Sequence, residues 1–113
     1  MKIPERVQNG AAILSLSGKL MGGPEMEEFE HRISELHAAG IKRVVLDMKD
    51  VEWINSRGLA MIIAAYNVLT KDGGGVKLAS IGDSVQNLFM VTKLITVFDT
   101  YDSVEQAAAS YTA

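Results

Sequence analysis

Between residues 43 and 79 the hydrophobic period changes twice, and this constrains the fold more than any other feature of the chain. Val44-Val45-Leu46 is a short, continuously apolar run of the kind found inside a parallel or mixed sheet. Leu59, Ile62, Ile63, Tyr66 and Leu69 then recur at helical spacing, after which Val76-Lys77-Leu78-Ala79 reads as a strand again. A strand, a helix and a second strand in that order call for an α/β layering.

The flanking segments extend the pattern. Ile3 to Gln8 and Ala11 to Leu20 read as a hairpin, because Asn9-Gly10 supplies the two positive-φ residues of a type I′ turn. In the second of these strands Ile13, Ser15 and Ser17 alternate with Ala12, Leu14 and Leu16, which predicts a half-buried strand. Met21-Gly22-Gly23 breaks it, and Pro24 suits the start of a helix with an acidic first turn that ends at Gly40. Gly73-Gly74-Gly75 stops the central helix. Asp83 or Ser84 is expected to cap a third helix carrying Val85, Leu88 and Phe89. Thr96 to Tyr101 is expected as a last strand or extended segment, followed by a helix from Val104 to about Tyr111, capped by Asp102 or Ser103. The predicted order is β-β-α-β-α-β-α-β-α, a mixed sheet with helices packed mainly on one face.

At 113 residues, with 48% apolar and 22% charged residues, residues 1–113 are expected to form a single domain able to fold alone. No cysteine is present, which excludes a disulfide framework, a thiolate metal site and a cysteine nucleophile. Met1 to Glu5 has no apolar signal core, and no stretch reaches the ~18 apolar residues of a membrane span. A cytoplasmic protein is expected. The net charge of −3, with Glu25, Glu27, Glu28 and Glu30 crowded together, offers no basic footprint for nucleic acid. A protein partner fits better.

The most informative local segment is Val51-Glu52-Trp53-Ile54-Asn55-Ser56-Arg57-Gly58-Leu59, a polar turn between a strand and an apolar helix. Unpaired N–H groups at a helix start, together with the macrodipole, favour hydroxyl and amide caps and attract anions. On local chemistry alone Ser56 is most simply such a cap, while a phosphate attached to it would sit at a receptive place. Arg57 opposes the positive end of the dipole, so it either points into solvent or meets an anion. Gly73-Gly74-Gly75 follows a helix and precedes a strand, the reverse of a phosphate-binding loop. His31 and His37 are six apart on one helix and share no face, so no metal pair is expected, and no cofactor. Ser56 lacks the G-x-S-x-G elbow, and Asp47 with Asp50 resembles an ordinary surface turn, so no enzyme is expected.

Taken together, Ser17-Gly18-Lys19-Leu20, Val44-Val45-Leu46-Asp47, Ile54-Asn55-Ser56-Arg57-Gly58-Leu59, Gly73-Gly74, Val76-Lys77-Leu78-Ala79 and Leu94-Ile95-Thr96-Val97-Phe98 make the chain resemble the STAS domain family. That family is named for sulfate transporters and anti-sigma factor antagonists, and the resemblance is to its small bacterial members. It implies a protein that binds an anti-sigma factor, itself a serine kinase, and is switched off when that kinase phosphorylates a serine. In the family pattern Asp-Ser-Ser/Thr-Gly-Leu the acceptor falls on Ser56. The implied partner surface comprises Gly22, Gly23, Asn55, Ser56, Arg57, Gly58 and Met61, on a monomer or weak dimer. Four residues depart from the pattern: Asn55 replaces Asp, Arg57 replaces Ser or Thr, Met21 replaces a loop aspartate, and Lys93 replaces a frequent glycine. The alternative reading is a scaffold or regulatory subunit of a transport or signalling complex, without a phosphate cycle.

Overall fold

The computed structural model describes residues 3–112; Met1, Lys2 and Ala113 lie outside the described residues, as does the side chain of Glu25. The chain begins with β1 (Glu5–Gln8), β2 (Ala11–Leu20) and α1 (Glu27–Ala38), continues through β3 (Arg43–Ile54), α2 (Ser56–Lys71), β4 (Gly75–Ala79) and α3 (Asp83–Val91), and ends with β5 (Thr100–Tyr101) and α4 (Val104–Ser110). Short 3₁₀ turns, Pro24–Met26 and Leu94–Thr96, precede α1 and β5. The element order is the expected one. The five strands form one sheet in the order β1-β2-β3-β4-β5, with β1 antiparallel to β2 and the other pairs parallel. Asn9 and Gly10 both take positive φ at the hairpin, as a type I′ turn requires.

Two apolar layers hold the sheet. Leu14 and Leu16 of β2, Leu46 and Met48 of β3 and Leu78 of β4 are buried with Phe29 and Ile33 of α1, Leu59, Ile62 and Leu69 of α2, and Val85 and Phe89 of α3. Each such side chain contributes roughly 1.5–3 kcal/mol relative to full exposure. On the opposite face Ala11, Ile13, Val45 and Ala79 meet Val104, Ala107 and Ala108 of α4. Three helices thus cover one face and one short helix the other. This changes the reading of β2. Its first half is buried on both faces, Ile13 completely, and the alternation returns only at Ser15 and Ser17, beyond the reach of α4.

β3 is longer than its apolar core suggests. It runs 12 residues, through the Asp47–Asp50 segment that resembles a surface turn in sequence. The register against β2 shifts between Ser15 and Ser17 and again between Gly18 and Lys19, each shift placing one extra residue on β3. Such bulges bend and re-aim a strand. They explain why Met48, Val51 and Ile54 are buried at intervals of three rather than two.

The C-terminal third also differs from the sequence reading. Only Thr100–Tyr101 of the expected Thr96–Tyr101 strand pairs with β4. Phe98 is drawn inward instead, with its ring centroid 4.9 Å from Tyr66 and 5.5 Å from Phe89. The cap of α3 is Gly82, without a side-chain bond, and Ser84 Oγ donates to the Glu52 carbonyl at 3.2 Å. Ser103 caps α4, its hydroxyl accepting from Gln106 N–H at 3.1 Å.

Helix ends follow ordinary rules with one exception. α1 and α2 each finish in a Schellman pattern, Ile41 N–H reaching Leu36 O and Gly74 N–H reaching Leu69 O, with Gly40 and Gly73 at positive φ. Their C-terminal ends are joined by a hydrogen bond between His37 and Asp72, which holds the Asp72 carboxyl below its usual range. α3 also ends at a left-handed residue, here Lys93 at φ 63°, whose N–H reaches Met90 O at 3.0 Å. A left-handed residue with a Cβ costs about 1–2 kcal/mol, part of which glycine's greater freedom in the unfolded chain would cancel. Lys93→Gly should therefore stabilise the fold by about 0.5–1 kcal/mol, read as a higher urea midpoint with unchanged slope.

Tyr111 closes the other end of the sheet, its hydroxyl donating to Val44 O at 2.8 Å. Burial pushes its phenol well above the ordinary value of 10.0. Because the folded form holds the proton more tightly than the unfolded chain, this contribution is complete below about pH 10 and is lost as pH rises. Tyr111→Phe should cost about 1 kcal/mol at neutral pH and flatten the loss of stability between about pH 9 and 11, measured by urea unfolding.

Candidate functional site

The Ser56 turn is assembled where β2 and β3 end side by side. Leu20 pairs with Ile54, and the Leu20 carbonyl accepts the Asn55 N–H at 3.1 Å. Beneath that carbonyl lies Gly58: a Cβ there would come within 2.3 Å of Leu20 O. A Cβ on Gly22, itself at φ +78°, would come within 2.5 Å of Arg57 Cβ. Two glycines thus let the β2–α1 loop and the first turn of α2 touch backbone to backbone. Local sequence offers no signal for this pairing, because Gly58 lies 36 positions after Gly22.

Asn55, not Ser56, caps α2. It is extended (φ −102°, ψ 178°), and its Oδ1 accepts the Gly58 N–H at 2.9 Å. Asparagine and aspartate cap about equally well, so the Asn55 departure leaves the helix start intact. Ser56 becomes the first helical residue, with an exposed side chain. The N–H groups of Ser56 and Arg57 have no acceptor within the helix. No acidic residue stands in the first turn of α2. Arg57 is exposed and, among the described residues, joins no ion pair. The arrangement is an accessible hydroxyl beside two outward N–H groups and a cation, suited to carrying a negative group and not organised for nucleophilic attack.

The residues singled out in sequence do not all lie on one surface. Gly22, Gly23, Asn55, Ser56 and Arg57 come together at the joint, whereas Gly58 is buried under it. Met61 lines a separate groove of about 180 Å³ between α1 and α2, with Phe29, Ile33, Ala64 and Val68. Sequence reasoning passed over Trp53, which is 45% exposed and pairs with Lys19 one step before the joint, and treated Met21, 39% exposed, only as a departure. Their signal was a large apolar residue next to a polar turn, outside the core period. His31 faces Glu35 on its own helix at 3.3 Å, and Asp47 Oδ1 accepts the N–H of Lys49, two residues on, at 3.2 Å.

Residues 2–107 match the model of the STAS domain family. A Bordetella bronchiseptica protein provisionally named anti-sigma factor antagonist BtrV is 26% identical over 111 residues, 98% of this chain and 95% of its own length. The crystal structure of a Thermotoga maritima protein, also provisionally described as an anti-sigma factor antagonist, superposes with a TM-score of 0.87 at 23% identity, covering 96% of this chain and 92% of that one. Bacillus SpoIIAA has been solved in a phosphorylated form; it superposes with a TM-score of 0.77 at 15% identity, over 97% of this chain and 99% of that one.

The division of labour in the turn has a direct test. Asn55→Ala should cost about 1 kcal/mol through loss of the cap, whereas Ser56→Ala should stay within about 0.5 kcal/mol of the parent in equilibrium unfolding.

Proposed function

Because this chain belongs to the STAS domain family, we propose that it is an anti-sigma factor antagonist that binds a serine-kinase-type anti-sigma factor and is switched by phosphorylation at Ser56. The name of the Bordetella bronchiseptica relative and the phosphorylated form of Bacillus SpoIIAA support the reading. The observation that carries it is the exposed Ser56 hydroxyl, relieved of capping by Asn55 and standing at the first turn of α2. The role is one of binding, not catalysis.

The binding face in this reading centres on Ser56 and Arg57, with Asn55 and the Gly22-Gly23 loop beside them and exposed Met21 and Trp53 flanking. Met61 lies off this face, in the groove between α1 and α2, and Gly58 serves by letting the two segments meet. A phosphate adds about −1.5 to −2 charges at pH 7. Placed at the centre of such a face it repels a partner's carboxylates and leaves charge to be desolvated, without refolding the domain. The outward N–H groups of α2 hold the modified side chain at little cost to stability.

Incubation with the cognate kinase and ATP, followed by peptide mass spectrometry, should place one phosphate on Ser56. Ser56→Asp should weaken kinase binding at least tenfold while Ser56→Ala binds like the parent. Phosphate on another residue, or equal binding by both variants, would instead favour a scaffold without a phosphate cycle.

A further inference from the structure

At the opposite end of β3 from Ser56, two cations converge on one aromatic ring. The guanidinium carbon of Arg43 lies 5.9 Å from the Tyr111 ring centroid, and the Lys77 ammonium lies 4.3 Å from it. Arg43 pairs with Gly75 and Val45 with Lys77, so the two cations stand on the same face of neighbouring strands. Neither has a carboxylate within ion-pairing distance among the described residues.

Several of the surrounding polar groups are already committed. Tyr111 donates to Val44 O at 2.8 Å, and Ser110 Oγ donates to Ala107 O while accepting from Lys77 Nζ, both at 2.6 Å. Gly74 and Gly75 give their N–H groups to Leu69 O and Lys42 O. The remaining side-chain donors are therefore the Arg43 fork, the unshared N–H groups of Lys77 and the hydroxyl of Tyr66, which also lines the cleft. They border a cleft of about 290 Å³ beside Gly74, whose single carboxylate among the described residues is Asp99. The β4–β5 ladder reaches only as far as Leu78, which leaves the cleft open along the start of β4. Two like charges sharing a ring in a half-enclosed cleft repel each other, and the repulsion is relieved by an anion lying between them.

We propose that this cleft binds a small tetrahedral oxyanion of the phosphate class, held by Arg43 and Lys77, either as free phosphate or as the phosphate of a small ester. Guanidinium and ammonium groups donate to phosphate oxygens through charge-assisted bonds, and Tyr111 fixes where both cations stand. The site is independent of the Ser56 turn, so its success or failure leaves the proposed function untouched.

The test is a titration of the ¹⁵N-labelled protein at pH 7 with sodium phosphate, with glycerol phosphate, and with sodium chloride at matched ionic strength. Both phosphates should produce saturable shifts at the amides of Gly75, Lys77 and Tyr111, and chloride should not. Arg43→Gln and Lys77→Gln should each weaken binding at least tenfold, while Lys77→Arg retains it. Tighter binding of glycerol phosphate assigns the site to an ester; equal binding assigns it to the free ion. Shifts that rise linearly and are matched by chloride, or glutamine variants that fold and bind like the parent, would overturn the proposal. Should either glutamine variant fail to fold, the wild-type contrast between phosphate and chloride decides.

Discussion

The close approach of the Leu20 carbonyl to the first turn of α2 is the contact on which the rest of the molecule depends. One carbonyl accepts the Asn55 N–H at 3.1 Å and overhangs Gly58, where any side chain would collide. A hydrogen bond of this kind contributes only about 0.5–1.5 kcal/mol net, so its importance is geometric. It sets where the helix begins relative to the ends of two parallel strands, and hence which residue caps and which is presented. A one-residue change of register would move Ser56 into the cap and bury its hydroxyl against the backbone.

The bulges in β3 serve that joint. Without two extra residues the strand would keep its inward period of two, Val51 would turn to the opposite face, and Leu20 would pair with Glu52 instead of Ile54. Val51 and Ile54 are instead buried under α2 and α3, and Trp53 points outward beside the turn. Packing therefore reaches the site through the strand. The apolar layer sets the path of β3, and the path of β3 sets the position of Ser56.

Much of the architecture was legible because strongly periodic segments leave few options. The hairpin at Asn9-Gly10, the helical stripe from Leu59 to Leu69 and the glycine stop at 73–75 each follow from a local rule. Ser56 stood out because a helix start beside a strand is chemically distinctive. Its exposure did not follow, since Asn55 and Ser56 compete for the cap and only the Leu20 contact decides between them. The burial of Ile13 and the inward turn of Phe98 escaped for a related reason. Each depends on a partner distant in sequence, α4 in one case and Tyr66 with Phe89 in the other.

Local periodicity and turn chemistry by themselves determined the order of elements, the layered class and the polar strand-to-helix turn that carries Ser56, because those properties are encoded within a few turns of chain. The tertiary structure decided which of two adjacent polar residues became the cap, how the Gly22 loop meets α2, and that Arg43, Lys77 and Tyr111 share one cleft. Those outcomes turn on fractions of an ångström between backbones and on side chains up to 68 positions apart in the chain, distances over which local propensity carries no information.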